Sequence, residues 1–317
     1  MLVAVLELCS AALIADDPNS MFSVYVDNDS RTLKPNHKTD RHYTHGTKFV
    51  YLFQPDWNWF RNFSDWNVAA PDESVDSMVG LFLGQNIYTP DYVDEPEKRS
   101  DEDRVFAGWL YSGIFAQRAT DHKMEHLELN IGVIGPSSKA EQVQKAIHDI
   151  LNSDDPIGWE NQLDDEPALD VTYMRKERWL DGLLKPTENT DVIVEYGFTA
   201  GSVHRHAQAG VTFRYGFNLG NTFGPGRLDL PSGISSLRKQ DGVRSGYFFA
   251  RASARAVEYN RFLTGLDTEP LVGEFQVGAV YHFKKFDIGY SQTFLTQEFE
   301  GQSGNDSFGS VFVTCQF

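Results

Sequence analysis

One histidine of this chain lies in a short amphipathic segment, a position that suits acid–base chemistry. Residues 138–151 carry apolar side chains at the spacing of one helix face: Ala140, Val143, Ile147, Ile150 and Leu151. Ser138 and Glu141 form a capping-box pair that predicts the start of a helix. His148 lies one position round from Ile147, at the edge of the apolar face. Imidazole titrates near neutral pH, so His148 is a candidate general base, although a lone histidine of this kind is more often structural.

Two groups of polar residues could complete a site with this histidine. The first predicted strand ends in Asp27, Asn28 and Asp29, and the next opens with Asp40, Arg41, His42, Tyr43, Thr44 and His45. Each group alone is compatible with ordinary turn chemistry or with solvated salt bridges. If the two strands are neighbours, however, both groups and the helix of His148 surround one site at the rim of the fold. The carboxylates of such a site fit cation binding or an exposed acidic surface equally well.

Alternation of apolar and polar residues indicates the elements that carry these groups. It is clearest where one strand face holds Ala207, Ala209, Val211, Phe213, Tyr215 and Phe217, and the other face holds polar residues and glycine. Elsewhere arginines alternate with small residues, which is typical of a barrel with a polar interior and a lipid-facing exterior. Twelve strands are predicted near residues 22–30, 43–54, 78–88, 105–118, 124–135, 168–177, 190–202, 207–217, 244–260, 270–282, 284–296 and 307–317.

The predicted fold class is therefore all-β, a twelve-stranded antiparallel transmembrane β-barrel with a short helix in an extracellular loop. Four longer polar stretches separate predicted strands, at residues 55–77, 89–103, 136–167 and 218–242. Long loops of such barrels lie outside the cell and short turns inside. We therefore expect these four stretches on the extracellular side, together with the helix of His148.

Composition excludes some classes of protein and favours a single domain. The net charge of −17 argues against nucleic acid as a partner, because no basic face is available to displace phosphate counterions. No run of about 20 apolar residues predicts a membrane-spanning helix. Residues 1–15 resemble a signal peptide, which leaves residues 16–317 as one outer-membrane barrel domain. The alternating last strand ends in Phe317, as assembly signals of outer-membrane barrels do, and this predicts the barrel assembly machinery as a partner during biogenesis.

The end of the first strand poses a geometric problem. Continued alternation from Val24 and Val26 places Asn28 on the lipid side of the barrel wall. The same pattern places Asp27 and Asp29 on the interior side. A site that contains both kinds of residue therefore requires a bulge in this strand, or it must straddle the wall. The second arrangement suits an enzyme that acts on a membrane lipid, because acyl chains could stay in the membrane.

Six motifs occur in an order that resembles a known family. They are Asn28-Asp29, the run Thr39 to Gly46, Asp103-Arg104 leading to Ala107-Gly108-Trp109, Gly132 to Ser137, Gln142 to His148, and Pro156 to Gln162. Together they resemble the outer-membrane lipid A 3'-O-deacylase family over most of the chain. The resemblance implies a twelve-stranded barrel in the bacterial outer membrane that binds lipopolysaccharide. It also implies a calcium-dependent esterase that removes the 3'-linked acyloxyacyl group of lipid A, with its site at the extracellular face between the wall and a loop helix.

The resemblance assigns roles to individual residues. It makes His148 the catalytic histidine, with Asn28, Thr44 and Asp154 as catalytic neighbours. It makes Asp29 the first choice for a calcium ligand, with Asn28 and Asp154 as further ligands or as residues that orient the histidine. Thr44 would hold the substrate carbonyl or a calcium-bound water, and its alternative role is that of a nucleophile activated by His148. This assignment is chemically consistent, because ester hydrolysis needs a base for water and positive charge where the oxyanion forms.

Some assignments leave alternatives open. The family's acidic residue after the histidine matches Asp154 in position but differs in type and spacing, so Asp155 competes for this role. Lys98 and Arg99 match loosely a basic pair that would bind lipid A phosphates. Two other functions remain: an outer-membrane phospholipase with a serine nucleophile, and a porin or structural barrel without enzymatic activity.

Overall fold

Twelve antiparallel strands close into a single barrel, as predicted. The structure is a computed structural model, and it describes residues 20–31, 40–57, 75–91, 103–151, 153–179, 186–219, 222–224, 244–283 and 285–317. The strands are β1 (Ser20–Asn28), β2 (His42–Phe53), β3 (Asp76–Thr89), β4 (Ala107–Ala119), β5 (Lys123–Ile134), β6 (Glu166–Arg178), β7 (Thr190–Gly201), β8 (His204–Phe217), β9 (Ser245–Asn260), β10 (Leu271–Phe283), β11 (Phe286–Leu295) and β12 (Asp306–Gln316). Each strand pairs with its neighbours in sequence, and β1 pairs with β12 to close the barrel.

The two faces of the wall differ in chemistry in the way that the alternation predicts. The outer face of β3 to β10 exposes large apolar side chains: Leu81, Leu83, Ile114, Leu129, Phe198, Phe213, Phe248 and Phe275. The interior instead buries ion pairs, among them Lys48 with Glu128 at 3.7 Å and Arg214 with Asp191 at 2.8 Å. A buried charge is costly unless it is paired, and these contacts pair charges of the interior. No helix among the described residues has the length and apolarity needed to cross a membrane.

The segment of His148 forms the predicted helix, which we call α1 (Ala140–Leu151). It begins two residues later than expected, because Lys139 adopts a left-handed conformation with a φ of 62°. The predicted capping box does not form, since the side chain of Glu141 pairs with Lys145 at 2.8 Å. The predicted apolar face is also wrong in part. Ile150 is 79% exposed, and the most buried face holds Ala140, Gln144 and His148, one helical turn apart.

Strand direction corrects the expected position of two long connections. We call the end of the barrel that carries α1 the helix end. In an antiparallel barrel, successive connections alternate between the two ends. The connections after β1, β3, β5, β7, β9 and β11 therefore lie at the helix end, and those after β2, β4, β6, β8 and β10 lie at the other. The strand ends that flank the stretches 89–103 and 136–167 lie at the helix end as expected, whereas those that flank 55–77 and 218–242 lie at the opposite end.

Candidate functional site

A bulge in β2 determines which way Thr44 points. Tyr43 and His45 pair with consecutive residues of β3, so Thr44 is the extra residue of the ladder. Tyr43 points into the interior, where its hydroxyl donates to Asp27 at 3.1 Å, and Lys48 is also an interior residue. Alternation from these two fixed points places both Thr44 and His45 on the outer face of the wall.

Asn28 lies on the same outer face. Val24 and Val26 of β1 pack in an apolar cluster that is separate from the interior core, and Asn28 follows them by alternation. Asn28 Nδ2 donates to the Thr44 carbonyl oxygen at 3.3 Å and lies 3.5 Å from His45 Nδ1. The bulge is therefore in β2 rather than in β1. It brings Thr44 round to Asn28, and the site lies on the lipid side of the wall.

Helix α1 covers this part of the outer face. Ile87 of β3, Phe106 before β4, Ala140 of α1 and Trp159 form one buried apolar cluster. Leu83, two strand alternations from Ile87, is half-exposed on the outside of the barrel, so the cluster is on the outer face too. The Phe106 and Trp159 rings pack with centroids 4.8 Å apart. The helix is thus held against the outside of the wall rather than over its mouth.

Close contact between helix and wall depends on a small residue in β4. A Cβ added at Gly108 would overlap the Ser138 hydroxyl and the Ala140 side chain. Gln85 of β3 also ties the start of the helix to the wall, because its Nε2 donates to the Ser138 carbonyl oxygen at 2.7 Å. These contacts fix the position of α1 on the outer wall, and we call the region between the two the cleft.

His148 faces this cleft with its two ring nitrogens in different environments. Nδ1 lies 2.5 Å from the backbone carbonyl oxygen of Asp154. A carbonyl oxygen only accepts hydrogen bonds, so Nδ1 carries the proton in the neutral ring. Nε2 is then the basic nitrogen, and it lies 3.4 Å from Asp40 Oδ1. The ring is buried but reaches the surface at 9% exposure, as a base that meets substrate must.

Asp40 is held beside His148 by a short relay of hydrogen bonds. Gln144, one helical turn before His148, donates from Nε2 to Asp40 Oδ1 at 2.8 Å. Trp159 Nε1 in turn donates to Gln144 Oε1 at 2.9 Å, which fixes the orientation of the amide. Asp40 itself adopts a left-handed φ of 56°, a conformation that Asp tolerates better than most residues. The carboxylate is therefore positioned from both its backbone and its side chain.

Asp29 stabilises the turn that presents Asp40. It lies on the 3-10 turn Asp29–Arg31 directly after β1, and its Oδ2 accepts from the Arg41 backbone N–H at 2.9 Å. Burial raises the pKa of Asp29 well above its usual value, and the negative charges of Asp40 and Asp306 raise it further. Backbone N–H groups of Arg41 and Asp40 oppose this rise. Asp29 is therefore a buried carboxylate close to two other negative charges. Among the described residues, its hydrogen-bond partners are these backbone amides.

The chemistry around Asp29 fits a hard cation, although only part of the predicted ligand set is available. A bound cation would neutralise the repulsion among the Asp29, Asp40 and Asp306 carboxylates, and oxygen ligands suit calcium. Asn28 Oδ1 instead accepts from the backbone N–H of Ser30 at 2.9 Å and from its hydroxyl. The described residues contain no group of three His, Cys, Asp or Glu side chains arranged to hold a metal. Backbone or substrate oxygens would have to complete the shell.

Thr44 is linked to Asp40 through a residue that the sequence did not suggest. Its hydroxyl lies 2.7 Å from the hydroxyl of Thr89, the last residue of β3. Thr89 in turn donates to the Asp40 carbonyl oxygen at 2.7 Å. Both threonines are fully buried. A chain of hydrogen bonds thus connects the wall side of the cleft to the acidic residue beside His148.

The structure brings together most of the residues singled out in the sequence. Asn28, Asp29, Thr44 and His148 surround one cleft, and Asp154 contributes its backbone carbonyl. The side chains of Asp154 and Asp155 are both exposed, and the carboxylate within reach of the His148 ring is that of Asp40. Lys98 and Arg99 lie outside the described residues, as does the predicted signal peptide, residues 1–15.

Four site residues were not assigned roles from the sequence: Asp40, Thr89, Gln144 and Trp159. A signal was present for two of them. Gln144 precedes His148 by four residues, so it lies on the same face of the helix. Asp40 belongs to the polar run that opens β2. Nothing in the sequence pattern indicated that Trp159 would donate a hydrogen bond rather than only pack.

Comparison with known proteins agrees with this architecture. The family model described as "Outer membrane protein LpxR" matches residues 1–317. The structure of LpxR from Salmonella typhimurium superposes with a TM-score of 0.75 at 22% sequence identity, and the match covers 94% of this chain and 100% of that one. At that identity the superposition shows a shared fold.

Other barrels are more distant. The translocator domain of the autotransporter NalP from Neisseria meningitidis has a TM-score of 0.43 at 11% identity, covering 100% of this chain and 95% of that one. The β domain of the Bordetella autotransporter BrkA has a TM-score of 0.45 at 8% identity, covering 94% and 99%. No curated protein sequence matches the chain.

Proposed function

The chain belongs to the outer membrane protein LpxR family, and from this we propose that it is a lipid A deacylase of the bacterial outer membrane. Its substrate is lipopolysaccharide, and the bond it breaks is the ester of the 3'-linked acyloxyacyl group. The helix end of the barrel faces the outside of the cell, where lipid A forms the outer leaflet. Recognition of the last strand by the barrel assembly machinery is part of the same proposal.

The observation that carries this proposal is the position of His148. The histidine belongs to α1, which packs through Ala140 against Ile87 on the outer face of the wall, and its Nε2 lies beside Asp40, just before β2. A lipid in the outer leaflet can reach such a cleft sideways from the membrane, with its acyl chains still in the hydrocarbon region. Exposed Leu81 and Leu83 continue the outer face of β3 away from the cleft. An interior substrate, such as a diffusing solute, would not meet this residue.

The geometry supports hydrolysis by a water molecule. His148 Nε2 takes a proton from water as the water oxygen attacks the acyl carbonyl carbon. The Asp154 carbonyl holds the proton on Nδ1, and the nearby Asp40 carboxylate stabilises the imidazolium that forms. When the tetrahedral intermediate collapses, His148 returns the proton to the sugar oxygen as the ester C–O bond breaks. The products are a free carboxylic acid and a sugar hydroxyl, so atoms and charge balance.

The remaining residues position the substrate and a cation. Asn28 and Thr44 form the wall side of the cleft and hold the reacting group or the water. We propose that Asp29 is the principal calcium ligand of this chain, with Asp40 next to it, and that Asn28 and Asp154 act through orientation. Calcium, when bound, supplies positive charge for the oxyanion that develops on the carbonyl oxygen.

The direct test uses purified, folded protein and extracted lipid A in detergent. We expect release of the 3'-linked acyloxyacyl group in calcium, loss of activity after chelation, and recovery when calcium is restored. His148→Ala should lower the rate by at least 1,000-fold, on the order of the loss of a general base together with its positioning. Asp149→Asn is the matched control, because Asp149 is the exposed neighbour of His148 on α1.

Two results would count against the proposal. One is a His148→Ala variant that hydrolyses lipid A at the rate of the wild type. The other is covalent labelling of the protein by a serine-reactive phosphonate with loss of activity, which would indicate the phospholipase mechanism. Each variant must first migrate as a compact barrel in unheated electrophoresis samples, so that loss of folding is separated from loss of chemistry.

A further inference from the structure

Thr89 is a buried hydroxyl at the site that the mechanism above does not use. It is the last residue of β3 and lies on the outer face, like Ile87 two positions earlier. Its Oγ1 makes two hydrogen bonds of 2.7 Å, one with the Asp40 carbonyl oxygen and one with Thr44 Oγ1. Thr89 Oγ1 therefore connects Asp40, which lies beside His148, with Thr44, which lies on the wall.

The number of hydroxyl protons determines which group donates in each of these two hydrogen bonds. A hydroxyl group carries one proton, and a carbonyl oxygen can only accept. Thr89 must therefore give its proton to Asp40, and it must accept the proton of Thr44. Thr44 is left with two lone pairs and no proton to donate. In this arrangement Thr44 can accept from a water or contact a cation, but it cannot donate to an acyl carbonyl.

The same bond holds the backbone of Asp40. This residue has a φ of 56°, and His42, two residues later, has a φ of 58°. Left-handed backbone of this kind persists only where surrounding contacts determine it. Asp29 fixes the amide side of the turn through the Arg41 N–H, and Thr89 fixes the carbonyl side. The Asp40 carbonyl and the Arg41 N–H belong to one planar peptide group, so loss of the Thr89 hydroxyl would leave this group held by the Asp29 bond alone.

We propose that Thr89 is a positioning residue for the ester hydrolysis, a role that rests on the proposed function. It makes Thr44 an acceptor for the attacking water, and it keeps the Asp40 carboxylate beside His148. Thr44 consequently does not act as a nucleophile toward the ester, because its proton is directed to Thr89 and not to His148. Of the roles considered for Thr44, these hydrogen bonds leave the one toward water and remove those toward the carbonyl and as a nucleophile.

Two substitutions at Thr89 separate the hydroxyl from the shape of the side chain. Thr89→Val keeps the volume and removes both hydrogen bonds, whereas Thr89→Ser keeps the hydroxyl. We expect Thr89→Val to lower kcat by about 10- to 100-fold with KM changed less than about threefold, as for two hydrogen bonds lost at the transition state. Thr89→Ser should restore kcat to within about threefold of the wild type.

The matched control is a second buried threonine pair. Thr172 and Thr199 lie on neighbouring strands in the interior, with their hydroxyls 2.9 Å apart. Thr199→Val removes the same type of hydrogen bond far from the cleft, and it should leave kcat unchanged. A kcat loss in Thr199→Val equal to that in Thr89→Val would show that any buried threonine has this effect, and it would overturn the proposal.

A double-mutant cycle with Thr44→Val tests whether Thr89 acts through Thr44. If it does, Thr89→Val costs at least about fivefold less in the Thr44→Val background than in the wild type. Fully independent effects, or a Thr89→Val variant with the kcat of the wild type, would overturn the proposal.

Amide hydrogen exchange of residues 40–44 gives a readout that does not depend on activity. Exchange that is faster in Thr89→Val than in Thr89→Ser supports the positioning of Asp40, and equal exchange in the two variants contradicts it. If the wild type did not deacylate lipid A while this difference was present, the proposed function would fail and the positioning would stand.

Discussion

Replacing Asp40 by Asn removes one negative charge from beside His148 and little else. Asn tolerates the left-handed backbone of this position, and its side-chain oxygen can still accept from Gln144. At the 3.4 Å between Asp40 Oδ1 and His148 Nε2, two unit charges attract by roughly 1 kcal/mol in water and roughly 5 kcal/mol at the dielectric of a protein surface. The pair is largely buried but reaches solvent, so we expect a loss of roughly 2 kcal/mol of transition-state stabilisation.

That loss corresponds to a decrease in kcat of about 30-fold, because each 1.4 kcal/mol is about a factor of ten. The assay is release of the acyloxyacyl group by the purified protein at saturating lipid A and calcium, with compact migration of the barrel as the folding control. Glu141→Gln serves as the matched charge removal, since Glu141 pairs with Lys145 within α1. An Asp40→Asn variant with the kcat of Glu141→Gln would refute the role of Asp40.

Three further predictions concern the supports of the site. Trp159→Phe keeps the ring on its apolar neighbours but removes the donor to Gln144, so kcat should fall by about tenfold while the barrel still folds. Gly108→Ala places a methyl group against Ala140 and should displace α1, so that deacylation is lost while the barrel unfolds at the temperature of the wild type. Burial raises the pKa of Asp103, but hydrogen bonds from His42 and from backbone amides outweigh it and hold the pKa below its usual value. The stabilisation from this carboxylate is therefore complete above about pH 4 and is lost as the pH falls through the lowered pKa, which amide exchange at the helix end, corrected for intrinsic rates, should detect.

The barrel could be predicted from the sequence because each strand shows the alternation of residues within its own few positions. A wall with lipid on one side and a packed polar interior on the other imposes a period of two on every strand, as over β8 from His204 to Phe217. The positions of the long connections were less predictable. The expectation that all four lie outside the cell is wrong for 55–77 and 218–242, because the strand ends that flank these stretches lie opposite α1. The order of the antiparallel strands, and not loop length, decides the end.

The site was predictable in its residue types but not in its geometry. The alternation of β1 correctly put Asn28 on the outer face, but the bulge at Thr44 depends on how β2 pairs with β3, which a single strand does not reveal. The helix face was misjudged because Gln144 and His148 are buried by hydrogen bonds to Asp40 and not by apolar packing. The spacing of hydrophobic residues does not predict a helix face that is buried through hydrogen bonds.

In the proposed mechanism, His148 on the lipid side of the wall removes the 3'-linked acyloxyacyl group from lipid A. Mass spectrometry of lipid A from cells that express the chain tests this most directly, in medium with calcium and with the folded barrel confirmed in the outer membrane. We predict that wild-type cells contain lipid A lighter by the mass of the 3'-linked acyloxyacyl group, and that cells with His148→Ala contain the full-length form. Unmodified lipid A in cells with the folded wild-type protein, or equal loss of the group with His148→Ala, would contradict the account.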